Sequence, residues 1–159
     1  MYQRTSELIT KAMQTLGFDS TVFHLEFFDT GEALVFSECA ARLGGGQIPE
    51  VIEHAYGIDW FSVQFEQCMG IVNEHHLPMT PTECHAFVYL RSYPGGNQTE
   101  EEYQQAFHPV DLHFDPPKDA QTSGSYGNSG YIIVSRPSFS ELTSTVEAIT
   151  TYNEQRRIK

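Results

Sequence analysis

The sequence has few positive charges. It contains nine Lys and Arg residues against 21 Asp and Glu, which gives a formal net charge of -12 over 159 residues. Proteins hold nucleic acids and anionic membranes largely through Lys and Arg, so we expect neither as a partner. Phosphate chemistry would have to depend on a few placed cations, on a metal ion or on another polypeptide.

The sequence also lacks a cysteine framework and a long apolar run. Its cysteines are odd in number and have no Cys-x-x-Cys spacing, which favours a reducing compartment over disulfides; they are Cys39, Cys68 and Cys84. No apolar run approaches the roughly 20 residues of a membrane span, and the first residues do not resemble a signal peptide. We therefore expect a cytoplasmic protein.

The composition and the apolar periodicity predict one α+β domain, with helices packed on an antiparallel β-sheet. Hydrophobic residues make up 40% of the chain, which is enough for a core. Helices are predicted at 4–16, 48–56, 60–69, in a short stretch from 100, and from 138 or 140 to about 153. Strands are predicted at 21–28, 33–38, 84–92 and 131–135, with a flexible loop at 115–130 and a frayed tail at 154–159.

Turn and capping residues mark the ends of these elements. Thr5 or Ser6 can cap the first helix, and Asp59 can cap the helix at 60–69. Gly31 in the 29–32 turn makes the first two strands a β-hairpin. The apolar side of the helix at 60–69 is predicted to carry Phe61, Phe65, Cys68 and Met69.

Two carboxylates interrupt the apolar hairpin strands. Alternation along a strand predicts one face with His24, Glu26 and Phe28, and a face of the second strand with Leu34, Phe36 and Glu38. If the register is centred near residue 31 or 32, Glu26 and Glu38 become near neighbours. Carboxylates that close repel unless a proton or cation lies between them, and Mg²⁺ prefers such hard oxygen ligands. A solvated sheet face is the alternative.

A short segment after the second strand adds an arginine and a glycine triplet. Arg42 can present its guanidinium to a carboxylate or phosphate beside a metal, although a surface charge is the simpler alternative. Gly44, Gly45 and Gly46 allow a ligand to approach backbone N–H groups, or form a plain flexible loop. His24 can hydrogen-bond a metal-bound carboxylate or a substrate, or be a partly buried structural histidine.

Together these residues resemble the C-terminal part of the ATP-grasp ligases. The matching text is FHLEFF, a turn, and then VFSECAARLGGGQIPEVIEHAYGID. The resemblance is close over residues 8–60 and loose over 84–153, and it implies an ATP-grasp C-terminal-lobe fold. Residues 93–130 have no convincing match.

The resemblance implies ATP-dependent ligation of a carboxylate and an amine through an acyl phosphate. Glu26 and Glu38 match the positions that hold Mg²⁺ between the ATP phosphates, and Arg42 matches the arginine that stabilises the transferring phosphoryl group. Gly44 to Gly46 match a segment that lines the pocket for the carboxylate substrate. Ala40 stands where many members of the family have an asparagine that binds the metal. In this respect the sequence resembles the branch of the family that includes amino-acid ligases.

The resemblance begins near the start of the chain and lacks the N-terminal lobes of the family. We therefore expect a truncated, split or relic ligase that is inactive alone and binds ATP only together with those lobes, supplied by a companion chain or a homodimer. A non-catalytic ATP-grasp-derived module that binds a partner is the alternative. A metal hydrolase using Glu26 and Glu38 is a weaker one, since further ligands are not evident; the His75-His76 pair has no third ligand.

Overall fold

The computed structural model describes residues 2–18, 21–71, 80–91, 98–115 and 128–155. These residues form two compact units. The first comprises the described residues of 2–53 and 57–71, and the second comprises 54–56 and the described residues from 80 onwards. Helices and antiparallel strands occur in both units, so the predicted α+β class is confirmed. The expectation of a single domain stays a prediction.

The first unit opens with the helix α1, Tyr2–Leu16. The helix begins earlier than predicted, so Thr5 and Ser6 lie inside it and do not cap it. It ends as predicted at Gly17, whose φ of +69° is in the left-handed region that favours glycine. The N–H of Phe18 then donates to the carbonyl of Met13 at 3.0 Å and closes the helix.

The predicted hairpin follows as β1, His24–Asp29, and β2, Leu34–Ala40, paired antiparallel. The first strand starts three residues later than predicted, and the second ends two residues later. In the turn, the Asp29 carboxylate accepts a hydrogen bond from the Gly31 N–H at 2.9 Å. Gly31 has a φ of +84°, which explains the glycine at this position.

A β-bulge changes the faces of the hairpin. Glu26 pairs with Glu38, but the next residue of β1, Phe27, pairs with Phe36, so Ser37 is the extra residue on β2. Cross-strand partners project from one face, and therefore Phe36 faces away from Glu38. The prediction that Leu34, Phe36 and Glu38 share a face is wrong, because the bulge breaks the simple alternation on which it depended.

Two helices follow the hairpin; the earlier one lies in the first unit up to residue 53, and the later one lies wholly within it. α2, Ile48–Tyr56, has Pro49 in its first turn and ends at Gly57, as predicted. α3, Trp60–Cys68, is capped by Asp59, whose carboxylate accepts from two backbone N–H groups. Its predicted apolar side is exposed, with Phe61, Phe65 and Met69 more than half accessible, while Val63 is buried.

The second unit is a three-stranded antiparallel sheet with two helices. The strand order is β3–β5–β4, with β3 at Cys84–Arg91, β4 at Asp111–Phe114 and β5 at Asn128–Arg136. α4, Glu100–Phe107, and α5, Phe139–Glu154, follow β3 and β5 in the chain. The core comprises Leu90, Tyr103, Phe107, Ile132, Val134, Leu142 and Ile149.

Helix caps in this unit agree with the sequence, but one strand does not. Ser138 caps α5 by accepting from the N–H of Glu141, so of the two predicted candidates Ser138 is the cap. β4 was not predicted. The flexible loop predicted at 115–130 is wrong at 128–130, which belong to β5; residues 116–127 lie outside the described residues, as do 156–159 of the predicted tail.

Among the described helices, none is long and apolar enough to cross a membrane. The three cysteines, which all lie in the described ranges, are free thiols. His75 and His76 lie outside the described residues.

The cap of α3 predicts a pH-dependent stability. The pKa of Asp59 is lowered from its ordinary 3.8, chiefly by the hydrogen bond from the Ser62 hydroxyl and further by those from the N–H groups of Ser62 and Phe61. A lowered pKa in the folded state stabilises the fold above pH 3.8, and this contribution is lost as the pH falls through the lowered value. Asp59→Asn keeps an oxygen that can cap the helix but cannot titrate, so thermal melting of this variant should lose less stability in that window.

Ser62→Ala is the matched control, because it removes the hydroxyl that lowers the pKa of Asp59 most. It should therefore narrow the pH range over which this stability is lost. Parallel loss of stability in the wild type and in Asp59→Asn would contradict the prediction.

Candidate functional site

The candidate site is built on the open ends of the hairpin strands. Glu26 of β1 and Glu38 of β2 are direct cross-strand partners. Partners in an antiparallel pair have Cα atoms about 4.5–5.5 Å apart and project from the same face. The register condition under which the two carboxylates become neighbours is therefore met. Their side chains are 55% and 58% exposed, so both remain hydrated and accessible to a ligand.

Each carboxylate has its own cationic or ionisable neighbour. Nε2 of His24 lies 3.1 Å from Oε1 of Glu26, and the two residues are two positions apart on one strand face. One guanidinium nitrogen of Arg42, Nη2, lies 3.8 Å from Oε1 of Glu38. Exposed pairs of this kind contribute only about 0.2–1 kcal/mol. They arrange the side chains without removing their charge from water.

The arginine is held by the chain that follows β2. The N–H of Arg42 donates to the carbonyl of Ala40 at 2.9 Å, which turns the backbone. The other terminal nitrogen of the guanidinium, Nη1, donates to the carbonyl of Leu43 at 2.8 Å. One end of the guanidinium is thus fixed to the backbone, and the other end lies beside Glu38.

The three glycines occupy different environments. A Cβ added to Gly44 would lie 3.0 Å from the Ile48 side chain and 3.1 Å from Nδ1 of His24. A Cβ added to Gly45 would meet no atom within 4 Å. Gly46 has a φ of +67°, a conformation that side chains disfavour. The segment therefore packs its first glycine against His24 and leads into α2 through the third.

Two apolar residues share the face of the carboxylates, and the sequence predicted only the first of them, Phe28. Phe28 lies on this face by alternation along β1, and the bulge places its cross-strand partner Val35 on the same face. They are 65% and 48% exposed. Recognising Val35 would have required the bulge, which has no signal in the local sequence.

The carboxylate pair does not make a complete metal site from protein ligands alone. Within the described ranges, no group of three or more His, Cys, Asp or Glu side chains could hold a metal ion. A cation at Glu26 and Glu38 would need other oxygens, from water or from a bound ligand. Mg²⁺ binds in that manner, with one or two carboxylates, waters and phosphates.

Comparison with known proteins gives a structural match and no sequence match. No protein-family model matches the chain, and neither does any curated protein. A phosphoribosylglycinamide synthetase from Anaerococcus prevotii is similar in structure, with a TM-score of 0.72 and 14% identity. An L-amino acid ligase from Bacillus licheniformis is similar too, with a TM-score of 0.77 and 17% identity.

Both comparisons cover 95% of this chain, which spans only 40% and 41% of the two enzymes. Both enzymes are ATP-grasp proteins. Sequence identity this low establishes the fold and not the activity. The resemblance inferred from the hairpin and the glycine triplet is thus confirmed at the level of the fold: 95% of the chain shares the fold of about 40% of each of these ATP-grasp enzymes.

Proposed function

We propose that this chain carries the Mg²⁺ and phosphoryl part of an ATP-dependent carboxylate–amine ligase site. The observation that carries the proposal is the direct pairing of Glu26 with Glu38 across β1 and β2. Two exposed carboxylates facing one another are poorly placed as neighbours but well placed as joint ligands of a divalent cation. The ATP-grasp fold supports this use of the pair.

The donor chemistry fits Mg²⁺. Glu26 and Glu38 supply hard oxygen atoms and leave other coordination positions to water and phosphate oxygens. Bound there, Mg²⁺ would supply positive charge between the carboxylates and the phosphates of ATP. Glu26 and Glu38 would hold the Mg²⁺ ion at the open end of the hairpin.

Arg42 is proposed to stabilise the transferring phosphoryl group. Its guanidinium is fixed on one side by the Leu43 carbonyl and lies 3.8 Å from Glu38 on the other. A fixed guanidinium beside a metal carboxylate can meet the negative charge that develops during phosphoryl transfer. Such an arginine is already oriented before the reaction, which lowers the cost of reorganising it.

His24 and the glycines are proposed to bind the carboxylate substrate. His24 contacts Glu26 through Nε2, and its Nδ1 side packs against Gly44. The substrate would therefore lie between the metal carboxylates and the loop of Gly44 to Gly46. The L-amino acid ligase among the structural neighbours suggests an amino acid as one class of substrate.

The complete reaction is proposed to need polypeptide beyond these 159 residues, supplied by a companion chain or a second copy. The chain spans about 40% of the two enzymes of similar structure. The described site offers an ATP molecule one arginine, Arg42, beside the carboxylate pair. That is little positive charge for a triphosphate, and we propose that the chain alone has no ligase activity.

Calorimetry with Mg·ATP tests this proposal on the chain alone. No binding in the micromolar range is expected, because one exposed arginine gives little electrostatic stabilisation in water. Micromolar binding by the 159-residue chain would contradict it.

Titration with Mn²⁺, a paramagnetic substitute for Mg²⁺, tests the metal site itself. Binding should broaden the NMR signals of residues near Glu26 and Glu38 before those elsewhere. Glu38→Gln removes one ligand and should weaken Mn²⁺ binding at least about tenfold, since even indirect partners of metal ligands are worth that much.

Glu32→Gln is the matched control, because Glu32 is an exposed glutamate in the turn at the other end of the hairpin. It should leave the affinity unchanged. Equal affinities of the wild type and Glu38→Gln, or equal losses in both variants, would overturn the metal site.

A further inference from the structure

A cavity of about 490 Å³ lies in the first unit and shares His24 and Gly44 with the candidate site. β1, α2 and α3 all contribute to its wall, together with one residue of α1. Most of the wall is apolar, including Ile9, Val22, Leu25, Leu43, Ile48 and Ile52. The volume is within the range of small-molecule sites in proteins.

The wall of this cavity carries no formal charge apart from any on His24. None of its described lining residues is Asp, Glu, Lys or Arg. A charged group placed inside would lose its hydration without gaining an ion pair, which is costly. The part of a ligand that enters the cavity must therefore be uncharged and mainly apolar.

The wall also contains a hydrogen-bond donor without a partner. Trp60 lines the cavity, and its indole N–H is buried and has no acceptor among the described residues. An unsatisfied buried donor destabilises the fold. A ligand that brings an oxygen atom, or moves the ring slightly toward one, can recover that cost.

His24 joins the cavity to the carboxylate pair. Its ring lines the cavity, its Nε2 lies 3.1 Å from Glu26, and its Nδ1 side packs against Gly44. A ligand that fills the cavity therefore contacts His24, and His24 in turn contacts Glu26. This is where the substrate carboxylate belongs if the metal and phosphoryl groups are held as proposed above.

We infer that the cavity binds the substrate of the ligase site, and that this substrate is a carboxylic acid with an uncharged, apolar substituent. The acid group lies beside His24, and the substituent lies against the apolar residues of the wall, among them Ile52. The inference rests on the proposed function for the position of the acid group.

The chain contains a single tryptophan, Trp60, so its fluorescence reports on this cavity without a label. The full chain is titrated with acetate, butanoate, pentanoate and hexanoate. Each added methylene should tighten binding about fourfold until the cavity is filled. Glutarate has the chain length of pentanoate but a second charge in place of the methyl group, and it should bind at least about tenfold more weakly.

Two variants test the location. Ile52→Phe fills the cavity and should weaken hexanoate binding at least about tenfold, because an overfilled site excludes the chain. If that variant fails to fold, Ile52→Ala enlarges the cavity and should move the preferred acid to a longer chain. Ala12→Leu is the control; Ala12 lines a separate apolar groove between α1 and β2. It should leave hexanoate affinity unchanged.

Three outcomes would each overturn the inference. They are an affinity that does not rise with chain length, glutarate binding as tightly as pentanoate, and equal losses of hexanoate affinity in Ile52→Phe and Ala12→Leu.

The Mn²⁺ titration separates this inference from the proposed function. If acids bind as expected but Glu38→Gln does not affect Mn²⁺, the cavity stands and the metal site fails. If Mn²⁺ binds at Glu38 but no acid shows saturable binding, the metal site stands and the substrate inference fails.

Discussion

Two like charges that face each other across the hairpin determine the rest of the site. Glu26 and Glu38 are direct partners, and opposed carboxylates on a sheet face destabilise it by roughly 0.2–1 kcal/mol. His24 and Arg42 lie beside them, but exposed ion pairs are worth about the same amount. The attraction from His24 and Arg42 is thus about as large as the repulsion between the two carboxylates, and it leaves no clear net stabilisation. A divalent cation between the carboxylates would turn this repulsion into binding.

The surrounding elements can be understood from that pair. The bulge at Ser37 brings Glu38 opposite Glu26, where regular pairing would bring Ser37. The turn of the backbone after β2 brings Arg42 back to Glu38, and the close approach of Gly44 fixes the ring of His24 from the other side. From His24 the wall continues into an apolar cavity. A pair of carboxylates, an arginine held by the backbone and an apolar cavity therefore adjoin one another in the first unit.

Local chemistry in the sequence predicted the features that depend on one or two residues. Gly31 in the turn, Asp59 as the cap of α3 and Gly57 as the end of α2 were identified because each conformation has a strong residue preference. The proximity of Glu26 and Glu38 was predicted only under a condition on the register, which their pairing meets. The bulge could not be predicted, because an extra residue on a strand depends on pairing and not on the local sequence. β4 was missed although Leu112 and Phe114 alternate with Asp111 and His113, because four residues are the shortest run over which alternation indicates a strand.

The most direct test of this account is the coupling free energy between Glu26 and Glu38. It is obtained from the unfolding of the wild type, Glu26→Gln, Glu38→Gln and the double variant, with EDTA and then with saturating Mg²⁺. With EDTA the coupling should be unfavourable by a few tenths of a kcal/mol to about 1 kcal/mol. With Mg²⁺ it should become favourable, because the two carboxylates then share one cation. A coupling that is zero, or that Mg²⁺ leaves unchanged, would contradict the account.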